Sequence, residues 1–402
     1  MASVLTTYYL QPPEGRDALS FHFGRQGIGM EEASETLASD SVFAALVTQA
    51  VLLDPRSLGS DGGPAFAQPF VGETSAPPFA LSSLFPRLGQ LILLPRPALT
   101  LPKMSDAQRE QIGKGFKKLR YLSPRLFADV CANRPFAAQP IIMQKGKVWL
   151  SLEEARALPR DLPQPWQPES GTRKHAFRPW GQQSDESEPA WLARLGETPI
   201  WDIDSLPHVT VDRVSNASAY FEVGRVTYAP GAGLALLVGF ADPAAQAGFE
   251  RLLSLLGESG LGGRRSSGAG GFTWQRGQDL SLDMGQTGDR RVLLSRYLPL
   301  ERELAALRSD RASYQLVNVG GWLYSTGRPA QRRQRVRMVA EGAVLDGAAI
   351  SEPLRGKLED VRPDYSKSRL AHPILQREKG TTHPVYRSGM ALALAIPDKE
   401  GA

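Results

Sequence analysis

The stretch GESGLGGRRSSGAGGF, residues 257–272, holds six glycines, two serines and two arginines between Gly260 and Gly271. Three chemistries use such text: a nucleotide cradle, an RNA clamp and a flexible linker. A phosphate cradle of the P-loop kind needs GxxxxGK[ST] between a strand and a helix start, so that backbone N–H groups face the phosphates. No Gly-Lys-Ser/Thr occurs here. The stretch also follows a run with helical apolar spacing, Pro243 to Leu256, and the C-terminal end of a helix repels anions. The GxGxxG spacing is missing too, because positions 265 and 273 are Arg and Thr. Nucleotide hydrolysis thereby loses its support. Glycines do let a backbone approach a sugar-phosphate chain, and successive N–H groups form an anion nest without any helix start. Arg264 and Arg265 add charge, and Ser266 and Ser267 add hydroxyl donors, a set suited to backbone contact with RNA. The other reading is a C-cap glycine at Gly257 or Gly260 followed by a surface loop.

A second basic feature is Arg333, Arg335 and Arg337, at period two. On a strand they share one face, which either binds RNA or keeps an edge strand soluble. Catalytic constellations are thin. The five histidines, His22, His175, His208, His372 and His383, are scattered, with neither HExxH nor a Cys/His zinc spacing. A metal-independent ribonuclease needs a base beside the 2′-OH that it activates, and His22 and His208 are the candidates near strand-like text. Asp202, Asp204 and Asp212 have no matching cluster with which to hold a metal. No metal and no cofactor is therefore expected.

These groups must be positioned by a chain of 402 residues, 42% hydrophobic and 22% charged, a length that suits two domains. Cys131 is the only cysteine, so no internal disulfide forms, which suits a reducing, cytoplasmic setting. The N-terminal text lacks a signal peptide, and no run of about 18 apolar residues appears, so a soluble chain without a membrane segment is expected. The net charge of +5 is concentrated between Lys103 and Arg134, where eight Lys or Arg stand against three Asp or Glu. Such a patch suits a polyanion or an anionic membrane surface, or it is a solvated helix face.

The chain opens as strand, turn and strand: Val4 to Leu10, Pro12 to Gly15, and Leu19 to Phe23. A helix then carries Val42, Phe43, Leu46, Val47 and Ala50 on one face, with Ser39 or Asp40 as its N-cap and Pro55 ending it. Residues 54–78 read as a loop. Residues 105–120 read as a helix whose cationic face is Lys114, Lys117 and Lys118. Residues 159–199, rich in Pro, Gln, Ser and Glu with scattered Trp, read as an exposed insertion or interdomain segment, and the domain boundary is placed there. In the second half, strands at 219–228 and 233–240 pair around 229–232, and the helix from Pro243 to Leu256 turns Phe249, Leu252, Leu253 and Leu256 inward. Strands at 272–276, 291–297, 314–323 and 333–339 and a short helix at 300–307 complete a βαββαβ series with an extra hairpin. This is the α+β order of a ferredoxin-like or RRM-like sheet.

Five pieces of text in a fixed order resemble one family, the RAMP (repeat-associated mysterious protein) subunit of type III-A CRISPR effector complexes, the fourth Csm subunit. LSFHFGRQGIG followed by LASDSVFAAL is similar to the family's His-Phe-Gly and Ser-Asp-Thr-Leu-Phe text. GKGFKKLRYLSPRLF resembles its basic segment, and LPHVTVDRVSNASAYFEV its His-Asn-x-x-Asp-Arg stretch. GLGGRRSSGAGGF resembles the RAMP glycine loop, and HPVYRSG the C-terminal His-Pro-Val-Tyr-Arg-Tyr-Gly. The pieces run from about residue 19 to residue 389. Departures are Val209 where the family has Asn, Ser388 where it has Tyr, and Ser41-Val42 where it has Thr-Leu.

The resemblance implies two ferredoxin-like RAMP domains, at 1–200 and 201–402, with insertions near 54–80 and 159–200. It implies a non-catalytic scaffold in antiviral defence that caps the 5′ handle of the guide RNA (crRNA) and meets target RNA only indirectly. The expected protein partners are the large polymerase-like signalling subunit and the neighbouring backbone RAMP subunit. Carried over residue by residue, the RNA-facing candidates are Phe23, Gly24 and Arg25, Ser39 and Asp40, Lys114, Lys117 and Lys118, and His208 and Arg213. The glycine loop adds Gly262, Gly263, Arg264, Arg265, Ser266, Ser267, Gly268 and Gly270, and the C-terminal text adds Tyr386 and Arg387. For Asp40 the alternative is a helix cap, for Arg213 a salt bridge with Asp212; Tyr386 is expected to pack and Arg387 to meet RNA. The rival function is a RAMP endoribonuclease that processes guide precursor with His22 or His208 as base.

Overall fold

The computed structural model describes residues 5–24, 32–73, 76–102, 116–158, 180–183, 185–212, 214, 217–323, 331–363 and 383–398. Strand β1 (Thr6–Gln11) is short, β-rich text buried on both faces, and it is followed by helix α1 (Ser39–Leu53) and strand β2 (Phe85–Leu88). Far along the chain come β3 (Ala232–Phe240), helix α2 (Ala245–Ser259) and β4 (Thr273–Arg276). These six elements make one β-α-β-β-α-β unit. Its strands lie side by side in the order β4, β1, β3, β2, every pair antiparallel, with Tyr8 opposite both Leu236 and Arg276. The order is that of a ferredoxin-like sheet.

The chain is thus α+β as expected, but residue 200 does not divide its sheets. The first strand lies between two strands from beyond residue 230, so the βαββαβ series draws on both halves of the chain. The strand Ser218–Tyr228 does not pair with β3 either. It forms a long hairpin with Trp201–Val211 and also pairs with the two-residue strand Ser20–Phe21. A strand's apolar text specifies that it pairs, not which strand it pairs with.

The central strand β3 explains itself physically. Its sequence AGLALLVGF is apolar without alternation, and a strand covered on both faces needs that pattern. On one face Tyr8, Leu10, Leu234 and Leu236 pack with Val42, Phe43 and Leu46 of α1 and with Phe249, Leu252 and Leu253 of α2. On the other, Tyr9, Ala235 and Leu237 join Trp149 and Phe127 and reach Val292, Val344 and Ile396 of a second sheet. That second sheet has three strands, Val344–Asp346, Arg290–Leu293 and Ala393–Ile396, with the short helix Leu304–Arg308 beside it. The core on this second face therefore ties the two ends of the chain together.

Residues 180–199, expected in an exposed insertion, are packed. Trp180 and Trp191 are buried, the Trp180 indole donates to Pro230 O at 2.6 Å, and the Trp191 indole donates to Trp180 O at 2.9 Å. The helix Glu188–Glu197 carries Trp191 and Leu195 inward. Residues 159–179 lie outside the described residues. The segment after α1 also holds more than a loop: the turn of 3-10 helix Ala65–Phe70 buries Phe70 edge-on to Phe43, with ring centroids 4.9 Å apart. Cys131 is buried, and desolvation pushes its thiol up to about 12. Among the described residues no helix is long and apolar enough to cross a membrane.

Candidate nucleic-acid interface

The two ends of the chain enclose a cleft of about 1130 Å³. One wall is His22, Phe23, Gly24, residues 34–38 and the first turn of α1; the other is residues 315, 317–322, 332, 333 and 335 with Arg387. Six arginines border it, Arg120, Arg296, Arg332, Arg333, Arg335 and Arg387, against three carboxylates, Glu35, Asp40 and Glu341, an excess of three positive charges. A cationic concavity of this size concentrates an anionic chain.

The floor is built by the Ser39–Asp40 pair. Ala38, not Ser39 or Asp40, is the N-cap of α1, and neither Ser39 nor Asp40 caps the helix with its side chain. Both residues instead reach the far end of the chain. Ser39 Oγ accepts from the backbone N–H of Arg296 at 2.9 Å, and Asp40 Oδ2 accepts from Arg387 Nη1 at 2.7 Å. Ser83 Oγ accepts from the backbone N–H of Ser39 and donates to Glu341, which in turn receives Arg296 Nε at 3.0 Å. The short polar side chains at 39 and 40 are staples between the two ends of the chain. Asp40 and Arg387 are 1% and 5% exposed at their side chains, which makes the ion pair a buried one.

This packing corrects the expectation for Tyr386 and gives Arg387 a partner within the chain. Arg387 is the buried partner of Asp40, while Tyr386 is half-exposed and donates its hydroxyl to Asp61. Arg387 still borders the cleft, and its Nη2 donates to Gly320 O at 3.3 Å. Arg333 Nη2 reaches the same oxygen at 3.5 Å. Burial, and then the like charge of Arg387, push the Arg333 guanidinium down to about 10, with Asp40 opposing the shift. At neutral pH it remains a cation.

The glycine loop is ordered by contacts that only glycine allows. Gly260, at φ +83°, is the C-cap of α2, as the sequence suggested. The loop then returns to the strand at residues 20–22: Gly263 N–H donates to His22 O at 2.9 Å and Gly270 N–H donates to Ser20 O at 2.9 Å. A Cβ on Gly270 would stand 2.3 Å from Leu261 O, and one on Gly262 2.7 Å from His22 O. The loop is pinned, which removes the linker reading. Arg265–Ser267 form a single turn of 3-10 helix, entered by Arg264 in the left-handed region and left by Gly268.

Arg264 lies over the Phe221 ring at 5.0 Å, and His208 stacks on the same ring, centroids 5.5 Å apart at 19°. The hairpin Trp201–Val211/Ser218–Tyr228 thus brings two candidates from separate text, His208 and Arg264, into one cation and aromatic layer through Phe221. Phe23, by contrast, is core: its ring stacks on Phe21 at 4.7 Å and is 2% exposed, so only the chain at Phe23 and Gly24 faces the cleft. Lys117 and Lys118 are exposed and do not border the cleft. Arg25, Lys114 and Arg213 lie outside the described residues. His22 borders the cleft, and its Nδ1 is 2.6 Å from Gly224 O. Among the described residues no group of His, Cys, Asp and Glu could hold a metal ion.

The sequence reading missed Arg120, Arg296, Arg332 and Trp322. Trp322 is 57% exposed, with Arg332 over its ring at 4.8 Å, at the cleft wall. The only signal was the period-two run Arg333, Arg335 and Arg337, of which the first two border the cleft.

Residues 286–396 match the family model of the CRISPR Csm4 C-terminal domain. No curated protein matches the chain in sequence. A chain of the crystal structure of the Csm3–Csm4 subcomplex of the type III-A CRISPR–Cas interference complex is similar over 98% of this chain and 100% of its own, at 15% identity and a TM-score of 0.55. Chains of the Csm1–Csm4 cassette are similar over 99% of both chains at 15% identity, with TM-scores of 0.51 in complex with pppApA and 0.50 in complex with cA4. At such identities the likeness establishes the fold, end to end. The match of residues 286–396 to the Csm4 C-terminal domain model and the end-to-end likeness of fold agree with the resemblance to the type III-A Csm4 family that the sequence motifs suggested.

Proposed function

We propose that this protein is a non-catalytic, RNA-binding scaffold of a type III-A CRISPR complex, and that it holds the 5′ handle of the guide RNA in the cleft between the two ends of its chain. The observation that carries the reading is the excess of three positive charges around an open cleft of about 1130 Å³, with the glycine loop's neighbour His22 on one wall and Trp322 on the other. Arginines neutralise phosphates, and exposed aromatic faces stack bases without demanding a sequence. The layer of His208, Phe221 and Arg264 extends the same chemistry along the hairpin. By analogy with the Csm1–Csm4 and Csm3–Csm4 assemblies of similar fold, the large signalling subunit and a backbone RAMP subunit are its protein partners.

Native purification of the tagged protein from its host tests the reading. Guide RNA whose 5′ handle resists nuclease, together with several protein subunits, is the expected result. Recovery of the chain without RNA would overturn it.

A further inference from the structure

Arg333 and Arg387 meet at a single carbonyl oxygen, Gly320 O, with Nη2 atoms at 3.5 Å and 3.3 Å. Two like charges in one place need a reason. One carboxylate, Asp40, serves both: it takes Arg387 Nη1 at 2.7 Å and is the charge that opposes the Arg333 shift. Arg296 is no help, because it is bound to Glu341 and adds to the repulsion felt by Arg387. The set Arg333, Arg387 and Asp40 therefore carries one uncompensated positive charge. Two donors are also short of partners: Arg333 Nε and Arg387 Nε are buried and have none. Unmatched buried polar atoms cost stability, and their persistence calls for an occupant.

The surroundings are those of an oxyanion. The first turn of the 15-residue helix α1 borders the cleft here through Ala38, Asp40 and Ser41; Ser83 Oγ takes the Ser39 N–H, and the positive end of the helix lies at the cleft. Room is kept on the opposite side by Gly321, at φ +116°, where a Cβ would come within 3.0 Å of Arg333 Nη2. Gly320, Gly321, Arg333 and Arg387 all border the cleft.

We infer that Arg333, Arg387 and the N-terminus of α1 form a discrete seat for one phosphate group of the bound RNA, at the floor of the cleft. The inference rests on the RNA-binding reading and sharpens it. The other cleft arginines contact a mobile polyanion and are interchangeable, whereas the seat fixes one phosphate and so sets the register of the strand. A phosphate in the seat also contacts residues from both ends of the chain, so RNA occupancy and closure of the Asp40–Arg387 staple reinforce one another.

Two sources supply the same chemistry, an internal phosphodiester and a 5′-terminal phosphate. The test uses the full chain and a series of handle-length oligoribonucleotides, each carrying one neutral methylphosphonate, in 5′-hydroxyl and 5′-phosphate forms. The seat predicts one phosphate whose neutralisation weakens binding by about ten-fold or more, the loss of a charge-assisted contact, against about two-fold elsewhere. In Arg333→Gln that position loses its special penalty, whereas in Arg335→Gln it keeps it. A special internal position assigns the seat to a phosphodiester, and a ten-fold preference for the 5′-phosphate form assigns it to the strand's end. Uniform penalties across a tightly bound wild-type series overturn the seat and leave RNA binding standing, and this arm needs no variant to fold. Absence of binding by the whole series overturns the RNA reading and the seat with it.

Discussion

Asp40 and Arg387 stand 347 positions apart in the chain and 2.7 Å apart in the fold, as a buried ion pair that joins the first helix to the next-to-last strand. Removing Arg387 leaves Asp40 buried without its hydrogen-bonded partner, with Arg333 the nearby opposite charge that remains. Arg387→Ala is expected to cost about 3–5 kcal/mol of unfolding free energy, whereas the double change Asp40→Leu/Arg387→Met recovers most of it. Urea unfolding of the three proteins checks this, and a single variant as stable as wild type would show that the pair is not a staple.

The glycine loop offers a graded comparison. Gly270 and Gly268 both have φ near +80°, but a Cβ on Gly270 meets Leu261 O at 2.3 Å while one on Gly268 meets only the Arg16 side chain at 3.4 Å. Gly268→Ala is expected to cost about 1–2 kcal/mol, the backbone penalty alone. Gly270→Ala costs more, since the loop must leave Ser20. Thermal unfolding separates the two, and equal losses would show that the close approach is unimportant.

Trp180 tests whether the end of the 159–199 segment belongs to the core. Trp180→Ala is expected to lose about 3–5 kcal/mol, as a fully buried aromatic does. A loss below 1 kcal/mol on denaturant titration would return the segment to the surface.

The histidines test the absence of catalysis. His22 and His208 are respectively held at Gly224 O and stacked on Phe221. Repeat RNA incubated with the purified protein in EDTA is expected to stay intact on a denaturing gel. Site-specific cutting that His208→Ala or His22→Ala abolishes would establish the endoribonuclease instead.

Local text was legible in the sequence where the local signal was complete. Phe249, Leu252, Leu253 and Leu256 gave α2 its buried face, and Gly260 gave its end, because helical spacing and a left-handed cap are written within a few residues. Pairing was not legible, since nothing in TTYYLQ says that its neighbours are Leu234 to Val238 and Thr273 to Arg276. The same limit governs the site. Asp40 reads as a cap because its partner lies 347 residues away, and Trp322 has no periodic text around it that would mark a cleft wall. The resemblance pointed to stretches of which His22 to Gly24, Asp40 and Arg387 border the cleft, and only the packing says which side chains within them face outward.

The central claim, that the cleft holds RNA by its arginines, is tested most directly by the salt dependence of handle RNA binding to wild type and to Arg332→Gln/Arg335→Gln, two cleft residues in exposed positions. Loss of two phosphate contacts to a single strand lowers the slope of log K against log salt by about 1.4, with weaker binding at every salt concentration. An unchanged slope and affinity in the double variant would contradict the account.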